Sequence, residues 1–148
     1  MGHCIRAIVG ADSDLRKIAE DWVKADLIEL PQGCGMIFMI NALLEDVEEL
    51  LEVSDDTCFP ELEDFTEGVR ELMERYSFRT RLAYIETDYF GGAGTQSGVL
   101  YENGKISVGP RSGEGTINFL LKELGVWHYP DKDEFDMLGL GKYRHMPY

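Results

Sequence analysis

The chain lacks any apolar run long enough to cross a bilayer. Its longest such stretch, residues 34–44, is interrupted by Asn41, whereas a spanning helix needs about 20 apolar residues. No basic segment leads into an apolar run near Met1, so no secretory signal is expected. Arg6 stands where a myristoylation signal beginning at Gly2 wants Ser or Thr. Cysteine is scarce: Cys4, Cys34 and Cys58 make neither a CxxC pair nor a disulfide framework. Their odd number suits a reducing compartment, the cytoplasm, and each reads as a small buried hydrophobe rather than a nucleophile. Basic residues are few, with 14 Lys and Arg against 28 Asp and Glu and a net charge of −14. Cationic side chains supply most of the affinity for nucleic acid and anionic lipid, so neither is an expected partner.

Complete chemical motifs are missing as well. There is no GxxxxGK[ST] phosphate loop, no HExxH, no GxSxG and no Cys/His pair at catalytic spacing. His3, His128 and His145 are dispersed and read as surface or capping residues, without a metal site. The run Asp131, Asp133, Glu134, Asp136 lacks the central glycine and final glutamate of a calcium loop. Asp133 capping a short helix, with Asp136 at the third position, explains it more simply. These absences point to no cofactor, no metal and no catalytic residue, and they lean against an enzyme.

What the chain does contain suits one domain over residues 1–148, with 44% hydrophobic and 11% aromatic residues to build a core. A strand over 3–9 is expected first. A helix follows with Leu15, Ile18, Ala19, Trp22 and Val23 on one face and Asp12 or Ser13 as its cap. Short strands come next over 27–30, ended by Pro31-Gln32-Gly33, and over 36–40, whose unbroken apolar character predicts cover on both faces. Two acidic amphipathic helices are then expected, joined by a polar turn over 54–57. The first, capped at Asn41, aligns Leu43, Leu44, Val47, Leu50 and Leu51. The second, with Pro60 near its first turn, aligns Leu62, Phe65, Val69, Leu72, Met73 and Tyr76. A long strand over 81–90 runs into Gly91-Gly92-Ala93-Gly94, and Asn103-Gly104 marks a two-residue hairpin turn between strands. A last helix carries Ile117, Leu120, Leu121 and Leu124 and stops at Gly125. Without strict βαβ alternation, the pattern predicts an α+β domain, a mixed, largely antiparallel sheet with about four helices packed on it.

Two features ask for a function. Residues 45–74 hold 13 acidic residues against Arg70 alone, a local balance of −12. Like-charge pairs at i,i+4, such as Glu45 with Glu49 and Glu67 with Glu71, each cost about 0.2–0.5 kcal/mol. A one-signed surface of this kind suggests a basic protein partner, met by Glu63, Glu67, Glu71 and Glu74; plain solvation of a charged face is the alternative. The second feature is the strand end at Glu86 and Asp88, which project from one face with Tyr84 and Phe90. Beside the glycines Gly92 and Gly94, with Gln96 and Arg111 to orient a substrate, these carboxylates would serve as acid–base groups or metal ligands. The glycine spacing misses GxGxxG by one residue and precedes a hairpin, so a tight turn is the simpler reading. Trp127, Tyr129 and Tyr143 offer a surface for homo-oligomer formation.

The segments Tyr84-Ile85-Glu86-Thr87-Asp88-Tyr89-Phe90-Gly91-Gly92-Ala93-Gly94-Thr95-Gln96 and Asp133-Glu134-Phe135-Asp136-Met137-Leu138-Gly139-Leu140-Gly141, with Arg144, resemble an uncharacterised group of small bacterial proteins carrying YFGG-x-G-x-Q and DEFD-x-x-GLG-x-x-R. Leu30-Pro31-Gln32-Gly33 is similar to a turn in the same group. The resemblance covers most of the chain, implies a bacterial origin and a single domain, and brings no catalytic residues with it. Two expectations therefore stand side by side. One is an acidic interaction module, immunity- or antitoxin-like, whose two acidic helices bind a basic partner. The other is a small enzyme or ligand-binding domain at Glu86, Asp88 and the glycine loop.

Overall fold

A computed structural model describes residues 2–147. In chain order it forms β1 (Arg6–Ala11), α1 (Asp12–Asp21), β2 (Leu27–Glu29), β3 (Cys34–Phe38) and α2 (Asn41–Leu51). A short hairpin of β4 (Thr57–Phe59) and β5 (Leu62–Thr66) leads into α3 (Glu67–Tyr76). The meander β6 (Arg81–Phe90), β7 (Ala93–Glu102) and β8 (Lys105–Ser112) follows, then α4 (Thr116–Glu123) and the single turn α5 (Glu134–Met137). Six strands make one sheet in the order β2-β3-β1-β6-β7-β8, and every pairing in it is antiparallel. The α+β class is as the sequence predicts, with the sheet antiparallel throughout.

Both faces of the sheet are covered, so alternate residues of each central strand feed two separate cores. Ile8, Ile37, Tyr84 and Val99 point to one face, packed beneath α1, α2, β5 and α3. Ala7, Val9, Met36, Ile85 and Leu100 point to the other, beneath α4 and the segment holding Leu138 and Leu140. Every residue of β3 is buried, as its unbroken apolar run requires. Both two-residue hairpins close with positive φ at each turn position, +63° and +84° at Gly91 and Gly92, +53° and +77° at Asn103 and Gly104. At the end of α4, Gly125 (φ +96°) lets Val126 N return to Leu121 O at 3.0 Å.

Several expectations need correction. The second acidic helix begins only at Glu67; its expected first half is strand β5, paired to β4 through Phe59 and Leu62 across Pro60-Glu61. Apolar residues at 62, 65 and 69 suit a helix, but Thr57, Phe59, Phe65 and Thr66 favour extended backbone, and Pro60 favours a turn. Neither α1 nor α2 has a side-chain cap: Ala11 and Ile40 occupy the flanking positions, and Asp12 lies inside the first turn of α1. There it still complements the positive end of the helix dipole. Residue 57, expected in a turn, starts β4. β1 begins at Arg6, while His3 and Cys4 make single bridges to Tyr89 and His145. Cys4 is exposed rather than buried. Val23, expected on the apolar face of the first helix, lies beyond the end of α1 and is 89% exposed, and Leu50, expected on the stripe of α2, is 72% exposed.

Candidate functional site

β6 positions the site because its successive residues face opposite cores. Tyr84, Glu86 and Asp88 point towards the β4–β5 hairpin. Glu86 is only 8% exposed, and its carboxylate takes donors from three places. Oε1 accepts from Glu63 N at 3.0 Å, while Oε2 accepts from Asp64 N at 2.9 Å and from the Tyr84 hydroxyl at 2.6 Å. A carboxylate so placed pins β5 onto the sheet through backbone donors that a free hairpin would leave to water. Arg6 pairs with Glu86 in the β1–β6 register, and its guanidinium lies 3.5 Å from Asp64.

Around these groups lies a pocket of about 500 Å³, whose lining includes Glu61, Glu63, Asp64, Glu86 and Asp88, with Arg6 the one Lys or Arg side chain. Burial pushes the Glu86 carboxyl above the usual range, against the hydrogen bonds from Tyr84 and the two backbone amides that hold it down. The Tyr84 hydroxyl is raised well above its ordinary value by its own burial, then by the neighbouring Glu86 charge. Burial, then the Asp88 charge, raises the Cys4 thiol in the same pocket, which makes it a poor nucleophile. No group of three or more His, Cys, Asp or Glu among the described residues is arranged to hold a metal ion.

Thr87, Tyr89, Gln96 and Arg111 face the opposite side of the sheet. Gln96 bridges two elements: Nε2 donates to the Tyr89 hydroxyl at 3.0 Å, and Oε1 accepts from Ile117 N at 2.8 Å. It thereby satisfies a free amide in the first turn of α4, a capping role usually taken by a residue of the helix itself. Arg111 lies over the Phe119 ring at 4.7 Å. His3 Nε2 donates to Leu140 O at 3.0 Å, which places the proton on that nitrogen because a carbonyl only accepts. Nδ1 then meets Thr87 Oγ1 at 2.7 Å. Asn118 joins Asp133 Oδ2 to Phe135 N. Asp133 Oδ1 caps α5 by accepting from Asp136 N at 2.9 Å, as expected. These side chains border a cleft of about 280 Å³, but their polar atoms hold the C-terminal segment to the sheet.

The residues expected to form a ligand site are thus divided. Glu86 and Asp88 share one face, Gln96 and Arg111 the other, Gly92 forms the hairpin turn and Gly94 is a strand residue. The expected partner surface is also rearranged. Glu63 opens onto the pocket from β5. Glu67 accepts from Ser54 Oγ at 2.7 Å, which lowers its carboxyl pKa, and lies 3.6 Å from Arg70. Glu71 pairs with Arg75 at 3.2 Å, and Glu74 is exposed. Glu61, Asp64 and Arg6 were not singled out from the sequence. The Pro60-Glu61 turn was a local signal for the first two, whereas Arg6 reaches the site through pairing with a strand eighty residues away.

No protein-family model, curated protein or solved structure matches the chain.

The carboxyl shifts predict a pH dependence. Burial raises Glu86, Glu48 and Asp136, so the folded state binds protons that the unfolded chain releases in the interval above 4.5 for the glutamates and 3.8 for Asp136. Stability should therefore rise as pH falls from neutrality towards that interval, and turn over below 4.5, where the lowered Glu67 opposes it. Calorimetric Tm values across the range test this; a Tm that falls steadily from pH 7 downward contradicts it.

Proposed function

We propose that the chain is an acidic protein-interaction module that binds a basic partner, in the manner of immunity or antitoxin proteins that mask a cationic site. The observation that carries this reading is the pocket between β5 and β6, where five carboxylates converge on a space that holds one guanidinium. A lysine or arginine side chain entering it meets acceptors of which Glu86 is already fixed by backbone amides, so less ordering is needed on binding. Placement of the remaining charge supports the same reading. α2, the β4–β5 hairpin and α3 all pack on one face of the sheet, so the acidic segment lies on one side of the molecule. Lys24, Arg6, Arg70 and Arg75 ion-pair with Asp46, Asp64, Glu67 and Glu71. Those four cations are too few to neutralise 13 acids, and the remaining field steers a cationic partner. Three free thiols fit a cytoplasmic setting.

Glu61, Glu63 and Asp88 are exposed at the pocket and can be reversed without touching Glu86. In a pull-down from the host lysate, wild type should retain a basic protein at low salt and lose it as salt rises. The triple variant Glu61→Lys, Glu63→Lys, Asp88→Lys should not retain it. A control with Asp26, Glu114 and Asp131 changed to Lys, all exposed elsewhere, should behave as wild type. Equal capture by wild type and the pocket variant would refute the reading.

A further inference from the structure

The two apolar stripe positions that the fold leaves uncovered, Val23 and Leu50, are not scattered. They line one cleft of about 520 Å³ at the C-terminal ends of α1 and α2, together with Trp22, Asp21, Asp46 and Glu49. Trp22 is nearly buried, with its indole N–H donating to the Tyr76 hydroxyl at 3.2 Å; that hydroxyl donates to Asp21 Oδ2 at 2.5 Å. The base of the cleft is therefore set by hydrogen bonds before anything binds. Asp46 pairs with Lys24 at 3.2 Å, whereas Glu49 has no ion-pair or hydrogen-bond partner among the described residues.

We infer that this cleft docks a basic amphipathic helix of another protein, with an aliphatic side chain inserted between Val23 and Leu50 and flanking Lys or Arg residues against the carboxylates. Charge complementarity selects this occupant. A second copy seated symmetrically would set Asp21, Asp46 and Glu49 against the same three carboxylates, with only Lys24 from each copy to offset them. A helix carrying apolar anchors one turn apart and lysines elsewhere satisfies both parts of the cleft at once. The inference rests on the interaction reading for the partner's charge, and adds to it an apolar anchor at the ends of α1 and α2, apart from the pocket between β5 and β6.

The probe is a labelled helical peptide of leucine and lysine, compared by fluorescence anisotropy with a peptide of equal charge in which alanine replaces leucine. Wild type should bind the leucine peptide at least about tenfold more tightly. The double variant Val23→Ser, Leu50→Ser, at exposed positions, should keep its Tm and lose that difference, leaving weak binding that salt abolishes. The pocket variant Glu61→Lys, Glu63→Lys, Asp88→Lys should keep the leucine preference, which separates failure of this site from failure of the acidic pocket. Equal binding of both peptides by wild type overturns the inference, as does a leucine preference that survives in Val23→Ser, Leu50→Ser. Sedimentation supplies a third arm: a wild-type dimer that becomes monomeric in the double variant assigns the cleft to a second copy and overturns it.

Discussion

Replacing Glu86 with alanine is expected to lower stability by about 3 kcal/mol, near the upper end for a single buried acceptor. The carboxylate serves Glu63 N, Asp64 N and the Tyr84 hydroxyl, so its loss leaves three donors without a partner. Tyr84 is fully buried, and its hydroxyl cannot turn to water. Removing a desolvated charge offsets part of the cost, which is why the figure stays below the sum of three lost bonds. For a chain of this size the change corresponds to a Tm lower by roughly 6–12 °C. Glu86→Gln should fall between, since its carbonyl oxygen still accepts one amide and its NH₂ can donate to the tyrosine oxygen. Hydrogen exchange at the amides of Glu63 and Asp64 is the specific readout. Unchanged protection there in Glu86→Ala would show that β5 is held by its apolar contacts alone.

The second large effect is expected at Gly98. A Cβ at this position would lie 2.5 Å from Leu120 Cδ1 and 2.7 Å from the carbonyl oxygen of Tyr84. The leucine can rotate away, but the carbonyl belongs to the β6–β7 ladder and cannot move without loosening it. Gly98→Ala should cost about 2 kcal/mol and Gly98→Val more than 3, by the usual scale of overpacking. Urea unfolding measures both. Near wild-type stability for the valine variant would mean that the sheet yields at this point more easily than its packing implies. Because Ile85, the partner of Gly98, precedes Glu86, the valine variant should also weaken capture of the basic partner proposed for the acidic pocket.

Local sequence specifies the structure where local chemistry decides the outcome. Asn103-Gly104 specified its hairpin, residues 81–90 form a strand with those bounds, Gly125 ends α4, and Asp133 caps α5. Each of these rests on neighbours a few residues apart. Residues 62–66 form a strand although their apolar spacing fits a helix, because the deciding contact, Glu86 accepting from Glu63 N and Asp64 N, spans more than twenty residues. Val23 and Leu50 fit their stripes equally well in the sequence, but α1 ends at Asp21 and Trp22 is extended, which takes Val23 off the stripe, while Leu50 stays on α2 outside the core. The shared face of Glu86 and Asp88 was legible from strand periodicity. That Gln96 and Arg111 lie beyond the sheet from them was not, because it depends on the register of β7 against β6 and β8.

The place of β1 has a consequence for time. This strand is made early, yet it sits between β3 and β6, and Arg6 meets Glu86 only eighty residues later. At synthesis rates of about 5–20 residues per second, β1 waits roughly 4–16 s for that neighbour. Through this interval β3 can cover one edge of the strand while the other stays open, and the acidic segment is made before the meander that completes the sheet. A nascent chain thus carries much of its negative charge while its central strand still lacks one neighbour, and like-charge repulsion between such chains discourages the edge-to-edge pairing that an open strand invites.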